Sequence, residues 1–201
     1  MKGKGLTMEV IVAAATELVE EKGYNNFSVR ELAQKLHVKA ASLYNHLNTI
    51  DDVNKEIGLK AVSHMNEYLE QSAEGKEKDE ALRALAYAFR SYVKNNYQMY
   101  RAIMEMPALN RDGSLEIGRE SVKSIRRVVA EYGISREEAI KFSRSFRSAL
   151  HGYASYEMAG YFTATNVTGD ESFDFLVDGY VEWLNRLEEK EKQKQERKKE
   201  Q

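Results

Sequence analysis

A single proline, Pro107, stands in a chain of 201 residues. Proline removes a backbone donor and clashes inside a helix, so a chain this poor in it can wind for long stretches. Ala, Leu, Glu and Lys fill those stretches. Apolar residues recur three and four apart, and no long run alternates in the manner of a strand. The pattern predicts an all-α protein, long enough for one or two compact units with a real core.

Caps and stripes place the helices. The first is predicted over Thr7 to Lys22, with Val10, Ile11, Ala14, Leu18 and Val19 on one face and Gly23 as its stop. Ser28 and Glu31 form a capping box for a short second helix that ends near Leu36. A third is predicted over Lys39 to Leu47. Thr49 caps a fourth that runs to Gln71, with Asp51 and Asp52 in its first turn, where the helix dipole favours acids. After a polar loop from Ser72, helices are predicted over 79–95, 97–106, 114–132, 136–162 and 171–190. The breaks fall at Asn95-Asn96, Pro107–Gly113, Gly133 and Asn166–Asp170, and Ser135 with Glu138 reads as a second capping box. From Glu188 onward the chain mixes charges of both signs, the pattern of a solvated, fraying helix end.

Several function classes drop out. With no Cys there is no disulfide, thiolate zinc site or cysteine nucleophile. The four His have no ligand-like spacing, so no metal or cofactor is expected. There is no phosphate-binding GxxxxGK[ST] loop, no HExxH and no GxSxG, and Gly3-Lys4-Gly5 precedes no strand. His151 with Glu157 is the one pair that can be nominated for catalysis; six apart on one helix, they lie on different faces, so an enzyme is not expected. The N-terminus lacks the apolar core of a signal peptide and no stretch of about 18 apolar residues exists, which predicts a cytoplasmic chain with no membrane partner. Thirty Lys and Arg against thirty-two Asp and Glu give a formal charge of −2. That excludes an all-over polycation but not a local basic patch.

Such a patch fits residues 30–46. A helix bearing Leu32, Ala33 and Leu36 meets a tight turn at His37-Val38, then a second helix bearing Leu43 and Leu47. Ala33 permits a close crossing and Val38 plugs the corner. This is the pattern of a helix-turn-helix, whose second helix enters the DNA major groove. A plain αα-hairpin satisfies the same spacing. The outward residues Lys39, Ala40, Ala41, Ser42, Asn45 and His46 are small, polar or basic, as a groove-reading surface requires.

With the run LAQKL-x-V-x-x-x-x-LY-x-H from Leu32 to His46, the positions of Ala14, Leu18 and Gly23, and Phe27-Ser28 before the second helix, residues 7–62 resemble the N-terminal domain of the tetracycline-repressor (TetR) family of bacterial transcription regulators. The resemblance implies that Arg30 contacts phosphate or a base edge, that Ala40, Ala41, Ser42 and Asn45 face bases, that Tyr44 and His46 hold phosphates, and that Lys39 adds charge at the groove edge. Two positions depart from the family pattern. His37 stands where Gly is usual and is expected at positive φ, and Ile50 replaces the usual Lys, followed by two Asp.

Farther on, Ala149 to Phe162 resembles the signature of the subfamily whose C-terminal domain is named for a Trp-His-Gly motif, with Leu150 in the Trp position. Ser148, Gly152, Ser155 and Ala159 give that helix a small-residue face beside the bulky stripe of Phe142, Phe146, Leu150 and Tyr153. The last helix has Phe173, Leu176, Val177, Tyr180, Leu184 and Leu187 on one side, with Phe175, Gly179 and Trp183 on another. Helices apolar on more than one side need more than one partner. A homodimer interface is therefore expected at Phe146, Gly152, Ser155, Ala159, Tyr180, Trp183 and Leu184, although a buried intrachain bundle meets the same need. An effector site is expected at Phe89, Tyr92, Tyr100, Met104 and His151, where aromatic rings combine with a few hydrogen-bonding groups. An ordinary core explains that stripe equally well.

The resulting domain reading is a helix-turn-helix DNA-binding domain at 1–50, a connecting helix at 51–72, a helical effector-binding and dimerisation domain at 73–190, and a charged tail at 191–201. Its functional counterpart is a repressor that binds double-stranded DNA as a dimer at an inverted-repeat operator and is released by a small hydrophobic or aromatic effector. The alternative is an adaptor or ligand-binding helical protein that has lost DNA binding, to which His37 and Ile50-Asp51-Asp52 would point.

Overall fold

A computed structural model describes residues 5–106, 123–163 and 166–200. Among them are nine helices and no strand: α1 (Met8–Lys22), α2 (Val29–Lys35), α3 (Ala40–Leu43), α4 (Ile50–Ser72), α5 (Lys78–Asn95), α6 (Tyr97–Met104), α7 (Lys123–Ala130), α8 (Arg136–Met158) and α9 (Gly169–Lys199). The described residues fall into two compact units. One holds those up to His64 together with Asn96 to Met106; the other holds Met65–Asn95 and those from Lys123 onward. The predicted break at Pro107–Gly113 and the predicted helix start at residue 114 lie outside the described residues.

In the first unit, the Thr7 hydroxyl accepts from the Val10 amide to start α1, and Gly23 ends it at φ 93°. Ser28 and Glu31 form the reciprocal capping box of α2. Ile11, Ala15, Leu18 and Val19 of α1 close on Leu32 and Ala33 of α2, on Leu43 and Leu47, and on Val53, Ile57 and Ala61 of α4. The α2–α3 turn is a Schellman motif: the Val38 amide donates to the Ala33 carbonyl (3.0 Å) and the His37 amide to the Gln34 carbonyl (3.1 Å). Its left-handed position is His37, at φ 56°. Helix α3 is shorter than predicted. Past Leu43 the chain tightens, with His46 donating to the Leu43 carbonyl three residues back (2.8 Å), because Tyr44-Asn45-His46 are weak helix formers. Helix α6 also belongs to this unit. Met99 and Ala102 are buried in its core, the Tyr24 amide donates to Gln98 Oε1 (3.0 Å), and the Tyr24 hydroxyl donates to the Glu105 carbonyl (3.4 Å). At Gly58, α4 passes so close to this segment that a Cβ would lie 2.6 Å from Met106 Sδ and 3.0 Å from the Ala102 carbonyl oxygen.

The second unit gathers the end of α4 with α5, α7, α8 and α9 around Leu82, Leu85, Tyr92, Val128, Phe142, Phe146, Leu150, Phe173, Val177 and Leu184. Helix α8 stops at Met158 rather than 162. Gly160 takes φ 74°, and the Tyr161 amide closes a second Schellman motif on the Tyr156 carbonyl (3.0 Å). Helix α9 starts at Gly169 rather than 171, because Thr168 and Glu171 form a full capping box. It runs on through the charged tail, where Glu188–Lys192 (2.9 Å) and Glu191–Lys194 (3.2 Å) pair along it.

Helices α5 and α9 run antiparallel along a polar seam. Lys78 meets Glu188 (2.7 Å), Asn185 donates to Asp79 (2.9 Å), Arg83 pairs with Asp178, the Tyr87 hydroxyl donates to Asp174, and Arg90 Nη1 meets Asp170 (2.8 Å). Arg90 is the buried rung. It donates to Glu157 of α8 from Nε (2.8 Å) and Nη2 (2.6 Å), and its guanidinium lies 4.8 Å from the centre of the Phe173 ring. The guanidinium holds the Glu157 carboxyl below its ordinary range, against the opposing effect of burial.

Two consequences are measurable. His37→Gly removes the steric cost of a left-handed non-glycine residue and should stabilise the chain by about 0.5–1 kcal/mol in urea denaturation. Arg90→Met should destabilise it by about 3 kcal/mol, because it leaves Glu157 without its principal partner in a largely buried place. Since the folded-state pKa of Glu157 is lowered, its contribution is present above about pH 5 and is lost as the pH falls through the lowered value. The gap between the wild-type and Arg90→Met stabilities should narrow over that acid range.

Candidate nucleic-acid interface

Helix α2, its turn and α3 present one surface. Leu32, Ala33, Leu43 and Leu47 turn inward, and this forces the residues between them outward. Arg30, Lys39, Ala41, Asn45 and His46 are exposed, Ala40 and Ser42 are half-exposed, and Tyr44 keeps 56% of its surface despite its large ring. All the positions named for DNA contact therefore lie on the outer side of this hairpin. The site is built of small groups, one carboxamide, one phenol and three cation-forming side chains.

The charges are sorted. Lys22 is paired with Glu31, and Lys35 sits between Glu17 and Glu21, at 2.9 Å from each. Among the described residues, Arg30, Lys39 and His46 have no carboxylate partner. Glu31 is held at a pKa of about 2 by Lys22 and by the Ser28 hydroxyl and amide. Asp52 accepts from the Asn48 (2.7 Å) and Thr49 (3.1 Å) amides, and these bonds hold its carboxyl below the ordinary range. Position alone predicts Asp52 in the dipole of α4, and the structure adds this capping role. Its signal was an acid three residues after Thr49.

The residues nominated for an effector are divided. Phe89 and Tyr92 of α5 and His151 of α8 lie in the second unit, whereas Tyr100 and Met104 of α6 lie in the first. Burial pushes the Tyr92 phenol up to about 12. Burial, then Arg147, pushes the His151 imidazole down, so the neutral form is favoured. Glu157, its nominated catalytic partner, is taken up by Arg90.

The residues nominated for dimerisation all lie in the second unit. Phe146 and Leu184 are wholly enclosed by the unit's own core and so can only support an interface from behind. Gly152 and Ser155 are half-exposed and Ala159 is exposed; Tyr180 hydrogen-bonds Ser145 Oγ (2.9 Å), and Trp183 is 38% exposed. A shallow groove of about 470 Å³ between α8 and α9 is lined by Tyr153, Phe175, Leu176, Gly179, Tyr180 and Trp183, and Phe175 at its rim is 83% exposed.

Among the described residues no helix is long and apolar enough to cross a membrane, and no group of three or more acidic or His side chains is arranged to hold a metal ion. Residues 11–58 match the family described as bacterial regulatory proteins, tetR family, and residues 82–180 match the tetracyclin repressor-like, C-terminal domain. The Mycobacterium tuberculosis protein named uncharacterized HTH-type transcriptional regulator Rv0681 is 29% identical over 156 residues, which is 77% of this chain and 72% of its own length. YobS of Bacillus subtilis, named in the same way, is 29% identical over 151 residues, 74% of this chain and 78% of its own length. A TetR variant from Acinetobacter baumannii AYE, crystallised with minocycline, shares the fold with a TM-score of 0.66 at 18% identity, over 91% of this chain and 98% of that one. Both units thus carry the marks of one family, whose members are transcriptional regulators and not enzymes, and the chain belongs to the TetR family of bacterial transcriptional regulators.

Proposed function

We propose that this regulator is a repressor that binds an inverted-repeat operator as a homodimer and leaves it when a small hydrophobic or aromatic effector binds. The observation that carries the reading is the outer side of the helix-turn-helix, where Arg30, Lys39 and His46 stand without carboxylate partners among the described residues, beside the small side chains of α3. Arg30 contacts phosphate or a base edge, Lys39 adds charge at the groove edge, Tyr44 and His46 hold phosphates, and Ala40, Ala41, Ser42 and Asn45 face the bases. Residues 1–50 serve as the DNA-binding domain, 51–72 as the connecting helix, 73–190 as the effector-binding and dimerisation domain, and 191–201 as its charged tail.

Dimerisation is assigned to the α8–α9 face, where exposed Phe175 and Trp183 flank a surface of small residues. Of the residues nominated for the effector, Phe89, Tyr92 and His151 share the second unit and suit an apolar ligand with one or two polar groups, whereas Tyr100 and Met104 lie in the first. The assignment of the second unit to the Trp-His-Gly type rests on Leu150-His151-Gly152 and the flanking residues. Coupling is placed in α4, one continuous helix whose residues up to His64 belong to one unit and whose later residues belong to the other. An effector achieves release only by binding the DNA-free state more tightly, by about 1–3 kcal/mol.

The reading is checked with operator DNA selected from random duplexes. Arg30→Ala and Tyr44→Ala should each weaken binding about tenfold or more while leaving urea denaturation and sedimentation as a dimer unchanged, since both side chains are exposed. Wild-type affinity should fall steeply between 50 and 200 mM salt, by about a thousandfold if roughly six phosphates are neutralised. Variants that bind like wild type would place the DNA elsewhere.

A further inference from the structure

The side chains that α3 and its following turn expose differ in what they can read. Ala41 and Asn45 are four apart and both exposed, and the bonds from His46 and Leu47 to the Leu43 carbonyl keep the turn winding in the helical sense. They therefore share one line along the outer side, roughly 6 Å apart. Ala40 and Ser42 flank that line, half-exposed. From residue 40 to 45 the outward groups are two methyls, a hydroxyl, a phenol and a carboxamide, with no Arg or Lys among them.

Base edges in the major groove sort these groups. Guanine shows two acceptors, N7 and O6, and takes the paired donors of Arg or Lys. Adenine shows an acceptor and a donor, N7 and N6–H, which match the NH₂ and oxygen of a carboxamide. Thymine alone offers a methyl group for apolar contact. The basic side chains stand off this line. Arg30 is on α2, Lys39 caps the start of α3, and His46 follows its end.

We infer that the recognition helix is an A·T reader. Asn45 makes a paired hydrogen bond with adenine, and the Ala41 methyl packs on the methyl of a thymine one or two base pairs away. A G·C requirement, if the half-site has one, falls where Arg30 reaches. This assignment rests on the proposed DNA-binding role and adds the sequence class of the operator.

The test is selection of bound duplexes with wild type and with Asn45→Ala, a change at an exposed position outside the core. Wild type should enrich an inverted repeat with one fixed A·T pair in each half-site, preferred about tenfold or more over other pairs. Asn45→Ala should reduce the preference at that position to within about twofold and leave the others intact. Replacing the contacted thymine by deoxyuridine, which deletes only the methyl, should weaken wild-type binding about threefold and leave Ala41→Gly binding unchanged. Two results overturn the inference while leaving a regulator in place: an A·T preference that persists in Asn45→Ala, or a fixed G·C pair that disappears in it. Failure of wild type to enrich any sequence at low salt would overturn the DNA-binding reading itself, and this inference with it.

Discussion

Helix α2 ends in a left-handed residue, and the geometry of the first unit follows from that turn. Once His37 takes φ 56° and Val38 returns its amide to the Ala33 carbonyl, the chain leaves α2 at a fixed angle and α3 can bring Leu43 and Leu47 onto Leu32 and Ala33. Ala33 matters because a larger side chain there would hold the two helices apart. Burying one side of so short an element exposes the other, and the outward set from Lys39 to His46 is the complement of the inward one. The steric cost of a non-glycine residue at that turn is therefore carried by a core of which Leu32 and Leu43 are wholly buried members.

The second unit is organised by pairing along a seam. An apolar stripe can slide by a turn at small cost, because Leu and Val side chains accept many neighbours. The antiparallel ladder from Lys78–Glu188 to Arg90–Asp170 cannot, since a shift of one turn sets each donor against the wrong residue. Most of its rungs are exposed and contribute little to stability individually. Arg90 differs, being enclosed between Phe173, Tyr153 and Glu157, and it ties α5 to α8 and to the start of α9 at one point. Register is thus specified by polar groups, while most of the stabilisation comes from the apolar side chains beneath them.

Much of this was legible beforehand. The all-α class, the ends of α1 and α2 and the outward side chains of the hairpin follow from Thr7, Gly23, the Ser28–Glu31 box and apolar spacing, all local signals. The errors are equally local in cause. Tyr161 and Phe162 continue the apolar pattern of α8 past Gly160, so periodicity overran the glycine that ends it. Thr168 and Glu171 carry a capping box that starts α9 at Gly169, inside the break expected at Asn166–Asp170. The charged run after Glu188 reads as a fraying end; α9 continues through it to Lys199, with Glu188–Lys192 and Glu191–Lys194 pairing along its first part. The ladder itself could not be read, because its partners lie 80 to 110 residues apart. An amphipathic stripe likewise does not name its partner, so the burial of Met99 and Ala102 beside α1 and α4 was invisible.

A chain of net charge −2 presents a surface suited to a polyanion because its charges are distributed unequally. Lys22 and Lys35 are bound to acids of the same unit, which offsets their charge locally. Two of the nearby acids are also occupied. Glu31 is held by Lys22 and the Ser28 amide, and Asp52 is turned onto the Asn48 and Thr49 amides. A carboxylate whose lone pairs accept backbone donors still carries its charge, but it sits against the partial positive charge of a helix start, which reduces the field it projects. The absence of a lysine at Ile50 then removes one cation, and of the two acids that follow it Asp52 is engaged by backbone amides while Asp51 is exposed. In the proposed complex the backbone contacts come from Arg30, Lys39, Tyr44 and His46, few enough that shape and base-edge chemistry along α3 would supply a larger share of the discrimination.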